Sequence, residues 1–296
     1  LTIEEIHDLV ERFGDAAVRC KKAGFEIIEI HGAAGCIPTN FLSPHDNKRT
    51  DMYGGSLHNR MRLLLEIVRN IKKKCGPNFP VGIKLSTEDW EPEGIRIEET
   101  IEVAKALEKE GVSHLNIMGG THATASREFL LPNAFNAKHT KMLKDAVNIP
   151  VVAAGGIADG RGFAAAFMLG ASGVQMGTSF VATKESTVHD NYKAKIVKAK
   201  DIDTKVTGRS TGHPVRNLRN KQTNTYLKLE SEGAGLEQLE KLTLGGLRKA
   251  VVDGDVDNGS VMAGQSAGLV KEICSCKDLI TKVMTQGEQL LSKGFD

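Results

Sequence analysis

The feature that most limits how this chain can fold is an alternation of short β-branched runs with amphipathic stretches of helical period. The runs are Phe25-Glu-Ile-Ile-Glu-Ile30, Pro80-Val-Gly-Ile-Lys-Leu-Ser86, Val112-Ser-His-Leu-Asn-Ile-Met118, Ile149-Pro-Val-Val-Ala-Ala154 and Ser172-Gly-Val-Gln-Met176. Residues 61–71, 97–110, 137–147 and 161–169 lie between them and space their apolar side chains as helices do. A first helix precedes the first run. Thr2 and Glu5 have capping-box spacing, and Ile6, Leu9, Val10, Phe13, Ala17 and Cys20 recur on one face. Strands in strict alternation with helices predict a parallel sheet with helices packed on it. A length of 296 residues allows one large domain or two small ones.

Glycine follows most of these runs, at His31-Gly32, Gly119-Gly120, Gly155-Gly156 and Gly177-Thr178. Ligands of parallel α/β proteins sit beyond the carboxyl ends of the strands. A glycine there lets backbone N–H groups approach an anion with no Cβ in the way. Gly155-Gly156 and Gly177-Thr178 follow consecutive strands, as in the phosphate site of a (β/α)8 barrel; ordinary turn chemistry is the plainer alternative. The loop from residue 32 to about 57 is too long for a simple connection. Arg49, Asp51 and Arg62 in that region are either ligand contacts or loop-anchoring ion pairs. Lys84 sits mid-strand among apolar residues, where an unpaired charge is costly. His213, Ser260 and Gln265 lie in glycine-rich stretches, where site roles and turn formation are both open.

Residues 184–296 show no strand alternation and predict helices and loops. Within them, residues 191–221 carry nine basic side chains against Asp201 and Asp203. That stretch reads as a solvated face or as a surface for an acidic or phosphorylated partner. The whole chain has a net charge of +2, which argues against a dedicated nucleic-acid binder. No apolar run approaches the roughly 20 residues that span a bilayer, and Leu1-Thr2-Ile3-Glu4-Glu5 does not open a signal peptide. The five cysteines are odd in number and scattered, which fits a reducing, cytoplasmic setting. Cys274-Ser-Cys276 has one intervening residue, not two, which makes it weak as a metal pair and reads as a buried or incidental pair, so no metal is expected.

Residues 2–148 resemble the old yellow enzyme and 2,4-dienoyl-CoA reductase family of FMN oxidoreductases. The carriers are His31-Gly-Ala-Ala-Gly-Cys36, Asn40-Phe-Leu-Ser-Pro44, Asn47-Lys-Arg-Thr-Asp51, Tyr53-Gly-Gly-Ser56 and Asn59-Arg-Met-Arg62. Residues 149–296 resemble the FMN-dependent enoyl-ACP reductase and nitronate monooxygenase group. There the carriers are Ala153 to Arg161, Val174-Gln-Met-Gly-Thr178, Thr207 to Arg216, and Gly254-Asp255 with Gly259 to Gln265. The chain therefore reads as a mosaic joined near Ile149-Pro-Val-Val152, within two families that share an FMN barrel.

The resemblance implies a (β/α)8 TIM-barrel type that lacks its first three βα units. Residues 1–183 would form a partial FMN-binding barrel, and 184–296 a helical region packing near the flavin. It implies FMN and NAD(P)H as cofactors and reduction of a C=C conjugated to a carbonyl or thioester. A nitronate monooxygenase and a non-catalytic barrel fragment are the alternatives. His31 matches the family's donor to the substrate carbonyl. Ala34 stands where the family has a second donor, Asn or His, and Cys36 where it often has a proton-donating Tyr. A thiol, with an ordinary pKa of about 8.5, can still give a proton. Lys84 replaces an Arg against the flavin ring, and Gly155, Gly156, Gln175, Gly177 and Thr178 match cofactor-binding positions. Expected partners are a small-molecule or acyl-thioester substrate, with CoA or an acidic carrier protein, and no nucleic acid or membrane. Five parallel strands cannot close an eight-stranded barrel, so unpaired edges predict self-association.

Overall fold

The computed structural model describes residues 1–118, 137–211 and 214–293. Gly119, Gly120 and His213, singled out above, lie outside the described residues. The chain divides into two units, Leu1–Ala153 with Leu169–Ser172, and Ala154–Met168 with Gly173–Asp296.

In the first unit, α1 (Ile3–Lys22) opens on the predicted capping box: the Thr2 hydroxyl accepts from the Glu5 N–H, and the Glu5 carboxylate accepts from the Thr2 N–H. Its apolar stripe, Ile6, Val10 and Ala17, is buried within the same core as Leu63, Leu64, Ile67, Val68 and Ile71 of α4 (Arg62–Cys75). Strands β1 (Ile28–Gly32), β2 (Val81–Ser86), β3 (His114–Met118) and β4 (Val151–Ala154) lie side by side in that order, and β1 to β4 pair in parallel. Their register sorts the side chains into two rows. Ile30, Ile83, Leu115 and Val151 align across the sheet and are buried. One residue further, His31, Lys84, Asn116 and Val152 align on the opposite face. The apolar row joins one core with α4, with α5 (Ile97–Lys109) and with Leu143 of α6 (Ala137–Ala146). Each fully buried aliphatic side chain there contributes about 1.5–3 kcal/mol.

The first strand begins later than its apolar run suggests. Phe25 is 61% and Ile27 45% exposed. The Phe25 N–H is still bonded back to the Cys20 carbonyl, in the turn that ends α1, and pairing starts only where the Ile28 N–H meets the Pro80 carbonyl. The long loop after β1 is largely ordered by short helices, α2 (Ile37–Leu42) with Pro38 in its first turn and α3 (Leu57–Arg60). After β2, Trp90 holds a left-handed backbone, φ 57, in a loop pinched between Asp89 and Ile95.

The second unit holds α7 (Gly160–Met168), the short β5 (Gly173–Gln175), α8 (Thr178–Val181) and α9 (Asp190–Val197), and then α10 (Lys221–Ser231), α11 (Leu236–Thr243), α12 (Gly246–Val251) and α13 (Cys276–Ser292). Tyr192, Ile196, Leu218, Val261, Ala267 and Val270 form its core. The expectation of helices and loops alone beyond residue 184 is corrected here. Strands β6 (Thr204–Thr207) and β7 (Val215–Leu218) pair antiparallel, Thr204 opposite Leu218 and Thr207 opposite Val215. At four residues each they are too short to show an alternation. Two charged residues, Lys205 and Arg216, further mask it. Nor is the basic stretch uniformly solvated: Lys193 is only 5% exposed, with Asp190 at 3.6 Å.

Candidate functional site

The polar row of the first unit holds two of the residues that the sequence singled out there, His31 and Lys84. His31, near the end of β1, is exposed and stands in register with Lys84 of β2, which stands in register with Asn116 of β3. Two residues earlier on the same face, the Glu29 carboxylate meets the Asn116 amide N–H2 at 3.1 and 3.2 Å and His114 Nε2 at 3.3 Å. Glu29 reaches across β2 because the residue between is Gly82. A Cβ at Gly82 would stand 2.0 Å from the His114 ring. Burial pushes the Glu29 carboxyl up, but the hydrogen bonds from His114 and Asn116, helped by the charges of His114 and Lys84, outweigh it and hold it below its usual value. Sequence reasoning missed this network. The one available signal was a glycine in the middle of a strand.

Beyond the strand end, the chain turns through Ala34 (φ 57) and Gly35 (φ 76), both left-handed. The Ala34 N–H donates to the Ser86 hydroxyl at 3.2 Å, which ties this turn to the end of β2. Cys36 follows as the N-cap of α2, half-buried, its N–H bonded to the Ala33 carbonyl. Position 34 offers no side-chain donor, and its backbone donor is already used.

Of the two readings of the loop charges, the contacts they make are those of an anchor. Arg49 pairs with Asp51 at 2.5 Å and donates to the Leu1 carbonyl, and Asp51 accepts the Tyr53 N–H. Arg62 donates to the Met52 carbonyl at 2.8 Å. The central pin is a residue not singled out from sequence. Arg60 is 4% exposed and binds the carbonyls of Leu42 and Gly55 and the Glu99 carboxylate.

In the second unit, Gly155 and Gly156 take φ of 91° and 75°, so the turn after β4 requires glycine. A Cβ built on either, or on Gly177, would meet nothing within 4 Å. The backbone at all three is thus open, as an anion cradle needs. The Thr178 hydroxyl accepts the Gly264 N–H at 2.9 Å and keeps its own proton to donate. Gln175 is exposed at the end of β5. Ser260 is spent structurally, its hydroxyl on the Gln222 side-chain carbonyl at 3.0 Å, and Gln265 begins a 3-10 turn, Gln265–Leu269. Cys274 and Cys276 are free thiols, each half-buried. Among the described residues no group of three or more His, Cys, Asp or Glu side chains is placed to hold a metal, and no helix is long and apolar enough to cross a membrane.

Parallel strands with a polar row on one face and open glycine turns at their ends define an α/β fold built on a parallel sheet. The chain belongs to the NADH:flavin oxidoreductase / NADH oxidase family over residues 1–188 and to the nitronate monooxygenase family over residues 97–286. It is 40% identical over 159 residues to an NADH oxidase of Thermoanaerobacter brockii, covering 52% of this chain and 24% of that protein. It is 38% identical over 158 residues to an NADPH dehydrogenase of Bacillus cytotoxicus, covering 53% and 44%. The chain thus spans less than half the length of either relative. Among solved structures it is similar to FabK from Thermotoga maritima, with 29% identity, a TM-score of 0.52, and coverage of 93% of this chain and 97% of that one. Both resemblances read from the sequence are therefore present, and the two family matches overlap across residues 97–188.

Proposed function

We propose that this chain uses FMN and NAD(P)H to reduce a C=C conjugated to a carbonyl or thioester. The observation that carries the reading is the aligned row of His31, Lys84 and Asn116, polar groups on the face of the sheet opposite the helices. Family membership supports the cofactors. FMN, when bound, supplies the hydride. The open backbone at Gly155, Gly156 and Gly177, with the Thr178 hydroxyl, would hold its phosphate. Gln175 would assist there, and within the first unit Lys84 would supply the positive charge of the polar row.

The rest of the chemistry falls to the chain. His31 donates a hydrogen bond to the substrate carbonyl, where negative charge develops. No second donor comes from position 34, and a missing donor of this kind costs about 10²–10³ in rate. Cys36 is the remaining proton source beside that turn. An acyl thioester of CoA or of an acidic carrier suits the exposed basic residues of the second unit.

The match over residues 97–286 favours a second reading, nitronate oxidation, for the same cofactor. The deciding experiment is a flavin titration followed by two assays. The purified protein should bind FMN, Gly177→Asp should abolish binding, and NADH should drive slow reduction of an enone. Nitronate turnover without enone reduction selects the second reading. Failure to bind FMN leaves a non-catalytic fragment and overturns both.

A further inference from the structure

The second unit contains a cavity of about 380 Å³ that shares no lining residue with Gly155, Gly156, Gly177 or Thr178. It lies where α7 and α13 cross. The crossing is tight: a Cβ on Gly160 would stand 2.5 Å from the Gln286 Cβ, and one on Gly287 would stand 2.3 Å from the Phe163 ring. Beside it, the segment from Leu269 to Cys274 closes the third side. The floor is aliphatic, with Val270, Leu279 and Val283 all buried. Into this floor is set Ser179, 4% exposed, whose hydroxyl finds no hydrogen-bond partner among the described residues. Leaving a buried hydroxyl unsatisfied is costly, so a group that bonds it is favoured there. Gln286 also lines the cavity. Its carbonyl oxygen accepts the Gly160 N–H at 2.8 Å, which leaves its amide N–H2 group as a donor.

The rim carries a surplus of positive charge. Arg161 is paired with Asp159 and Lys282 with Glu272, whereas Lys271 has no carboxylate partner among the described residues. Neutral donors inside, an excess cation at the mouth and an aliphatic floor together select a ligand with a compact anionic head and a hydrocarbon body. The volume lies near the lower end of the range for small-molecule sites, about 300–1,000 Å³, which favours a short chain. We infer that this cavity is a binding site for a short aliphatic carboxylate, held by Ser179, Gln286 and Lys271 with its chain on Val270, Leu279 and Val283. The inference does not depend on flavin binding or on the reaction proposed above.

Cys274 lines the same cavity and reports occupancy. In a Cys276→Ser background, alkylation of Cys274 by N-ethylmaleimide would be followed by peptide mass spectrometry. Cys20, Cys36 and Cys75, all in the first unit, serve as references. The probes are octanoate, octanol and inorganic phosphate. Octanoate should slow labelling of Cys274 saturably and leave the references unchanged, and octanol and phosphate should protect weakly or not at all. Lys271→Glu, an exposed change that breaks no ion pair, should raise the octanoate concentration needed about tenfold, the worth of one charge-assisted contact. Ser179→Ala should weaken protection while leaving the melting temperature unchanged or raised. Equal protection by octanol and octanoate, or protection indifferent to both substitutions, would overturn the assignment. So would labelling of Cys274 unaffected by octanoate in a protein that melts cooperatively.

Discussion

Ala34 occupies a left-handed backbone position at φ 57, where a residue with a Cβ pays about 1 kcal/mol and where asparagine is tolerated best after glycine. Ala34→Asn should therefore leave stability unchanged or slightly raised, by a few tenths of a kcal/mol. It also restores a side-chain donor beside His31. Enone reduction by NADH should rise by about 10- to 100-fold, most clearly in combination with Cys36→Tyr, if a missing donor is what limits the rate. A steady-state assay on the variants, with flavin content matched, checks this; a rate no higher than the parent's rejects the assigned role of position 34. Glu29 supplies a pH test. Its carboxyl is held low in the folded chain, so it binds its proton more weakly there than when unfolded. Its contribution is present in full above about pH 4.5 and is lost as the pH falls through the folded value. Glu29→Gln should make stability decline less as the pH falls below about 4.5, read as urea midpoints. His31 and Lys84 drew attention because a polar residue at the end or middle of an apolar run stands out locally. Glu29, His114 and Asn116 were not, because their meeting depends on strand register, a non-local property that no run of residues displays.

Among the elements, the loop between β1 and α4 shows how a long connection is kept in place. Arg60 stands at its far end and gathers carbonyls from both sides of the loop and the Glu99 carboxylate of α5. Arg60→Met removes the cation and leaves those acceptors in a poorly solvated setting. A loss of about 3 kcal/mol is expected, seen as a lower denaturant midpoint. A loss under about 0.5 kcal/mol, as for an ordinary surface change, would show that the loop holds without it. Gly155→Ala tests the other loop. With open space around it, the substitution meets strain alone, about 1 kcal/mol, together with weaker FMN binding by titration. The helices that alternate with the strands, and α1 before them, were legible to within a few residues, since their apolar spacing runs over two or more turns and α1 carries its own cap. The β6–β7 hairpin was not. Its strands give two inward positions each, too few to show a period.

At the scale of the whole molecule, β1 is the outermost strand of its sheet, with Phe25 and Ile27 exposed just before it. A strand edge beside exposed apolar residues invites pairing with another chain. Self-association is the expected outcome, seen by light scattering as a mass that rises with concentration above the 32.0 kDa of one chain. Phe25→Lys with Ile27→Lys should shift the distribution toward single chains; a constant 32.0 kDa in the parent sinks the idea. The alternating architecture was readable as a whole because each βα repeat is a local pattern. The division into units was not, since it depends on contacts between residues far apart in sequence. Trp90, the strained residue after β2, is the chain's single tryptophan and belongs to the first unit, whereas Tyr192 and Tyr226 belong to the second. Its emission, excited at the red edge of protein absorption, therefore follows one half of the molecule and is silent on the other. A melt recorded by tryptophan emission and again by far-ultraviolet dichroism compares one unit with both, and the gap between the two curves is a direct optical measure of how far the halves melt independently.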